Sequence, residues 1–273
     1  MSKLAADTAP DAATVLRDDR EGIAVLTLNR PQARNSLTEE MLAALKAELS
    51  SIGRNKSVRV VVLAANGPTF CAGHDLKELT AHRNDRDRGR AFFRRIFSAS
   101  AELMLMLARL PQPVVAAVQG MATAAGCQIV AACDLAVASD AARFCTPGVD
   151  IGLFCTVPAV PLSRKVASAH ALEMLLTGEA ISAPRAAEIG LVNRVVAPGH
   201  ELEAALCLAR KIASKSSHVQ KLGKQAYYRQ RDTDLEQAYA QSVEAMTENM
   251  MAYDAEEGIG AFIEKRAPKW EDR

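Results

Sequence analysis

Two short segments of this chain carry residue types suited to stabilising a developing negative charge. Residues 120–128 (GMATAAGCQ) hold Gly120, Ala122, Thr123, Ala124, Ala125 and Gly126, a turn made almost wholly of small side chains, and residues 127–132 then read as a helix. Small residues where a helix begins let a ligand approach backbone N–H groups that have no intrahelical partner. That end of the helix also favours negative charge. The second segment, residues 70–79 (FCAGHDLKEL), places His74 and Asp75 directly after Gly73. Each segment follows a parallel strand and enters a helix, so both belong at the carboxyl ends of neighbouring strands, where α/β folds place ligands. Two converging N–H groups there form an oxyanion hole. The first side chain past the small-residue turn able to do polar chemistry is Gln128. It is an amide, which orients water but does not exchange protons near neutral pH.

The elements that hold these loops are readable from periodicity. Residues 22–28 alternate as a strand, Thr38 caps a helix with the stripe Leu42, Leu45 and Leu49, and residues 58–64 form a buried strand. Strand, helix, strand in this order predicts a crossover with parallel strands. A further buried strand is expected over 114–118 and a short one over 135–138. Phe92, Phe93, Ile96, Phe97, Leu103, Met104 and Leu107 recur at helical spacing, as a core stripe or the wall of an apolar pocket. The charge-dense residues 80–90 before them read as a solvated, partly mobile loop. Residues 143–148 read as a strand end and turn. Beyond about Pro158 strand signals fade except at 192–196, and helical periodicity runs over 172–176, 201–213, 219–228, 235–251 and 256–264.

Composition bounds the function classes. Hydrophobic residues make up 49% of the 273 positions, enough for a sizeable core, and 33 Lys+Arg against 32 Asp+Glu give no electrostatic case for nucleic acid. No apolar run reaches the length of a membrane span. Six cysteines (Cys71, Cys127, Cys133, Cys145, Cys155, Cys207) lie mostly in apolar or small-residue surroundings without a CxxC pair, which predicts buried free thiols, no metal site and a reducing compartment. Residues 1–14 carry no apolar core of signal-peptide length and are too acidic for a transit peptide, so a disordered lead-in and a cytoplasmic location are expected.

From Val15 to Trp270 the chain resembles the crotonase superfamily, the enoyl-CoA hydratase/isomerase family. The matching segments are LNRPQARNSL (28–37), FCAGHDLKEL (70–79), PVVAAVQGMATAAGCQ (113–128), CDLAVAS (133–139), LTGEAISAPRAAEIGLVNRVV (176–196) and EEGIGAFIEKRAP (256–268). Within the family, the AAGCQ and TPGVDIGLF wording points to one branch. The resemblance implies an α/β fold: a spiral of ββα units over 15–197 that binds acyl-CoA, then a C-terminal helical region over 198–273 that builds trimers, often paired into hexamers. It implies an acyl-CoA thioester whose carbonyl oxygen lies between the N–H groups of His74 and Ala125. CoA is part of that substrate, and no separate cofactor is implied. Where the family usually has glycine this chain has Ala125, a change that keeps the main-chain donor. By the same resemblance, contacts to CoA fall on Gln32 and Ala33, on Asp75, Leu76 and Lys77, and on Phe262 and Lys265 from a neighbouring subunit. Lys77 and Lys265 also read as ordinary surface charges, and Arg34 as solvated.

The chain departs from the family where protons move. Hydratases of the family use two glutamates, and the matching positions here are Gln128 and Gly148. Asp150 lies two residues past Gly148, in the place of an acid that is often non-catalytic in the family. Thr156 stands where some relatives have an aspartate. Cys127 and Cys155 have no evident partner base, and the His74 imidazole is expected to face outward. Three readings follow: a hydratase-like or isomerase-like enzyme with an unrecognised or substrate-borne base, a thioester reaction needing only the hole, such as decarboxylation of a malonyl-type thioester, or a non-catalytic acyl-CoA-binding protein.

Overall fold

The computed structural model describes residues 13–273. The chain opens with β1 (Val15–Arg20) and β2 (Ile23–Leu28), an antiparallel pair, and crosses through α1 (Glu39–Arg54) to β3 (Val60–Ala65), which pairs with β2 in parallel. Thr38 caps α1 by accepting the Met41 N–H at 3.2 Å, and Glu39 and Glu40 sit in its first turn, where acids favour a helix N-terminus.

Three ββα units follow. In each, a strand enters a six-stranded sheet, a short strand enters a separate four-stranded sheet, and a helix returns. The first is β3, β4 (Thr69–Cys71), α2 (Leu76–Ala81) and α3 (Arg90–Arg109). The second is β5 (Val114–Val118), β6 (Met121–Thr123) and α4 (Ala125–Ala132), and the third β7 (Leu135–Ser139), β8 (Arg143–Cys145) and α5 (Thr156–Lys165). Then come α6 (Ser168–Thr177), β9 (Ile181–Ser182), α7 (Ala183–Glu188), β10 (Arg194–Val196), α8 (Glu201–Ala213), α9 (Ser217–Gln230), α10 (Leu235–Met251) and α11 (Tyr253–Ile263). The large sheet is ordered β1-β2-β3-β5-β7-β10 and the small one β4-β6-β8-β9.

The central strands of the large sheet, β3 and β5, are buried on both faces, because their side chains alternate between two apolar layers. Leu26, Val61, Leu63, Val114 and Ala116 face the main core with α1 and α3. Val60, Val62, Val115, Ala117 and Val137 face Ala205 and Ala209 of α8. Two alanines one turn apart let α8 lie close against the sheet. The helices from α9 onward pack on one another and leave large apolar side chains exposed, among them Tyr239, Met246, Met251, Phe262 and Ile263.

The expected α/β spiral with C-terminal helices is present. The expected lead-in lies outside the described residues up to 12, while the carbonyls of Ala13 and Thr14 accept hydrogen bonds from Asn29. The charge-dense segment is exposed, yet the Asp87 carboxylate accepts the N–H groups of Gly89 and Ala91, and His82 stacks on Phe92 with ring centroids 3.6 Å apart. Five of the six thiols are buried, and Cys207 is exposed.

Candidate active site

The two loops singled out by sequence leave β4 and β6, which are parallel neighbours in the small sheet. Glycines pin them together. A Cβ on Gly126 would sit 2.2 Å from the carbonyl oxygen of Cys71, so the first turn of α4 lies directly on β4. A Cβ on Gly73, whose φ is +84°, would meet Ala124 Cβ and Thr123 O at 3.1 Å and Ala125 N at 3.4 Å. The backbone before His74 therefore abuts the backbone before Ala125. Between them Ala124 adopts φ +50°, ψ −112°, a conformation costing a side-chain-bearing residue about 1–3 kcal/mol and tolerated where surrounding structure fixes it. Its own N–H donates to Cys145 O at 2.9 Å. Among the described residues, neither the N–H of His74 nor that of Ala125 meets an acceptor.

The segment after β2 braces the first loop from the other side. Leu37 N–H donates to Gly73 O at 2.8 Å, Asp75 N–H to Leu37 O at 3.0 Å, and Ala72 N–H to Arg34 O at 3.0 Å. Asn35, fully buried with φ +51°, donates to Asn66 O and Thr69 O and accepts the Arg30 N–H. Its role was not read from sequence; the signal was an asparagine, the residue most tolerant of left-handed backbone, inside a turn.

Asp75 caps α2. Its carboxylate accepts the N–H groups of Lys77 and Glu78 and the Ser36 hydroxyl, with Arg30 3.7 Å away. Burial pushes this carboxyl up, but the Ser36 and backbone hydrogen bonds and the Arg30 charge together hold it below its ordinary value. Leu76, Lys77 and Gln32 are exposed, and Ala33 is half-buried at the end of a short helical turn beside Arg34. Phe262 and Lys265 lie on and just after α11, which packs on α9 and α10.

The His74 imidazole turns inward, against expectation. It packs edge-on to Phe97 with ring centroids 5.2 Å apart, its Nδ1 is buried without a partner among the described residues, and burial pushes its pKa down to about 4. Near neutral pH the ring is therefore uncharged, which suits its packing against Phe97 of α3.

Gln128 lies on α4, all eight of whose residues are buried. Only 2% of Gln128 is exposed, and its Oε1 has no partner among the described residues. An unmade hydrogen bond at such an atom costs about 1–3 kcal/mol unless a guest supplies it. Gln128 is one of the residues lining a cavity of about 570 Å³ between α3, α4, α5 and α9, within the size range of small-molecule sites. Met104 of the aromatic-rich stripe lines it, so that stripe serves both core and wall.

Gly148 has no room for a side chain. A Cβ there would lie 2.6 Å from Leu153 O and 2.8 Å from Cys155 Sγ. The Gly148 carbonyl in turn accepts the Leu153 N–H at 2.8 Å. Asp150 is exposed, its carboxylate against the Gly178 turn, and Thr156 is exposed at the start of α5. Burial raises the thiols of Cys127 and Cys155, with the Gly148 N–H opposing the shift at Cys155, so both are protonated near neutral pH.

Asp134 is a structural residue that sequence did not flag. Its carboxylate accepts the Val114 N–H at 2.7 Å, Lys224 Nζ at 2.6 Å and the Tyr228 hydroxyl at 2.9 Å, fastening α9 over the ends of β5 and β7. This cluster closes one wall of the cavity.

A family model described as enoyl-CoA hydratase/isomerase matches residues 18–273. The rat protein named enoyl-CoA hydratase domain-containing protein 3, mitochondrial, is 45% identical over 92% of this chain and 82% of its own. A crystal structure described as an enoyl-CoA hydratase of Mycobacterium smegmatis superposes with a TM-score of 0.90 at 49% identity, covering 94% of this chain and 98% of that one. The human domain-containing protein 3 superposes with a TM-score of 0.89 at 43% identity, covering 94% and 100%. The branch to which the AAGCQ and TPGVDIGLF wording pointed is that of the domain-containing protein 3. The cytoplasmic expectation is overturned, since the rat, mouse and human relatives are named mitochondrial. The expectation rested on the acidic character of residues 1–14, with buried thiols beside it, and a reducing environment for thiols does not single out the cytoplasm.

Proposed function

This chain belongs to the enoyl-CoA hydratase/isomerase family, and from that membership we propose that it binds an acyl-CoA thioester and stabilises the enolate form without the family's two-acid hydration chemistry. The thioester oxygen accepts the N–H groups of His74 and Ala125. The observation that carries this reading is the glycine-pinned contact of the two loops, which holds both N–H groups without acceptors among the described residues. Each such donor contributes about 10²–10³-fold to reactions passing through an oxyanion. Gln128 hydrogen-bonds the guest but accepts no proton, and Gly148 contributes no side chain. A positioned acid or base contributes about 10²–10⁴-fold, so hydration is slow.

Residues 15–197 form the acyl-CoA-binding core and 198–273 the oligomerisation region of a trimer or hexamer, in which Phe262 and Lys265 of one subunit reach the nucleotide end of CoA in the next. The exposed apolar side chains of α10 and α11 support this assembly. Gln32, Ala33, Asp75, Leu76 and Lys77 contact CoA chiefly through the backbone and exposed side chains, since the Asp75 carboxylate is committed to capping α2. CoA arrives with the substrate, and no further cofactor is needed.

A second reading is favoured by the missing acids: decarboxylation of a malonyl-type thioester. There the carbon–carbon bond electrons pass into the enolate, carbon dioxide leaves, and water protonates the α-carbon, so no enzymic base is required. Incubation with acyl-, enoyl- and malonyl-type CoA thioesters followed by mass spectrometry separates the cases. Loss of carbon dioxide marks decarboxylation, gain of one water marks hydration, and binding with no mass change leaves isomerisation or simple binding, which chromatography of the products resolves. Hydration at the rate of a two-glutamate relative would sink the proposal.

A further inference from the structure

We infer that the cavity beside α4 receives an acyl chain that ends in a carboxylate, recognised by Arg164 and Arg231. The inference rests on the reading of Ala125 and His74 as the thioester site, since it takes the chain from there. Gln128, Ala131 and Ala132 present one face of α4 to the cavity, and Asp134 follows just beyond the helix. From Ala125 to Ala132 the helix advances about 10 Å. A chain starting at the Ala125 end thus passes between Met104 and Leu105 of α3 and Val157 and Val160 of α5, which suit methylene groups.

The far end is different in kind. Arg164, Lys165 and Arg231 line it together with Asp134 and Asp232. Asp134 is fully engaged by Lys224, Tyr228 and the Val114 N–H, and Lys165 Nζ is spent on the carbonyls of Cys133 and Asp134. The two guanidinium groups are not. Arg164 makes one bond to Val160 O at 3.2 Å and lies 3.5 Å from the solvated Asp232, and Arg231 donates to Arg164 O. Each guanidinium carries five donors in a fork that matches a carboxylate. Two partly solvated forks with spare donors among the described residues, at the end of an apolar channel, favour an anionic terminus that accepts from them over a methyl terminus that offers them nothing. Gln128 lines the channel near its start, while its Oε1 is sheltered from solvent and has no partner among the described residues.

Titration calorimetry on the full chain with suberyl-CoA, octanoyl-CoA and acetyl-CoA tests this. The wild type is expected to bind suberyl-CoA at least about tenfold more tightly than octanoyl-CoA, in line with a charge-assisted pair. Arg164→Gln with Arg231→Gln is expected to abolish that preference while leaving acetyl-CoA affinity unchanged, which also shows the variant is folded. Equal or tighter binding of octanoyl-CoA, or a preference that survives in the variant, overturns the inference while acetyl-CoA binding keeps the thioester site intact. If acetyl-CoA does not bind the wild type, the thioester reading fails and this inference falls with it.

Discussion

Putting both glutamates back, as Gln128→Glu with Gly148→Glu, is expected not to produce an ordinary hydratase. The obstacle is the backbone around position 148. A Cβ there meets Leu153 O at 2.6 Å, Leu153 C at 3.3 Å and Cys155 Sγ at 2.8 Å, all tighter than ordinary packing allows. The thiol can swing aside, but the Leu153 peptide is held by its own N–H bond to the Gly148 carbonyl at 2.8 Å. Making room breaks that bond and forces the turn after β8 outward. Overpacking of this kind costs about 1–3 kcal/mol, and the lost hydrogen bond adds about 1 kcal/mol. The melting temperature should therefore fall by roughly 4–16 °C, at about 2–4 °C per kcal/mol for a chain of this size. A displaced turn also misplaces the new carboxylate. Hydration of crotonyl-CoA, followed by loss of the enoyl absorbance, should stay at least about 10²-fold below that of a two-glutamate relative. Gly148→Ala separates the steric cost from the charge and should lower the melting temperature similarly. A double variant that melts with the wild type and hydrates within about tenfold of such a relative would refute the steric argument.

Three further outcomes follow from the same geometry. Gly126→Ala, whose Cβ would sit 2.2 Å from Cys71 O, should separate the two loops and abolish acyl-CoA binding by calorimetry, and unchanged affinity would contradict the pinning of α4 on β4. Lys224→Met leaves the buried Asp134 charge unpaired and should cost about 3–5 kcal/mol by denaturant unfolding, much of it recovered when Asp134→Asn is added. His74, held at about 4 in the folded protein against 6.5 when unfolded, binds its proton more readily in the unfolded chain. Its contribution to stability is present above pH 6.5 and is lost as pH falls from there to about 4, up to about 3 kcal/mol in all. Comparing wild type with His74→Phe across that window isolates the effect from the carboxylates, and parallel stability curves would rule it out.

Much of this was legible in the sequence because long elements carry strong periodic signals. Residues 201–213 and 235–251 are helices with the bounds their stripes indicate, and the parallel crossover through α1 follows from strand, helix, strand. The short strands β4, β6 and β9 were not legible, since two or three residues are too few for alternation to register. That hid the small sheet, and with it the fact that the candidate loops leave β4 and β6 directly. Helix α5 was masked by Pro158 and Pro161. The small-residue turn stood out in sequence, but the reason for its glycines did not, because the contact of Gly126 with Cys71 joins residues distant in the chain. The inward turn of His74 was misjudged for the same reason: its neighbour Phe97 lies on another element. Asp134 carried no signal of its own in the sequence, because its partners Lys224 and Tyr228 come from α9, some ninety residues on.

The central claim is that a thioester oxygen occupies the gap between two backbone donors while no side chain moves a proton. A crystal structure of the protein with a bound acyl-CoA tests it most directly. The carbonyl oxygen is expected within about 3 Å of both the His74 and the Ala125 nitrogen atoms, with no carboxylate within hydrogen-bond reach of the α- or β-carbon. A thioester bound with its oxygen away from either nitrogen, or with an ionisable side chain against the reacting carbons, would contradict it.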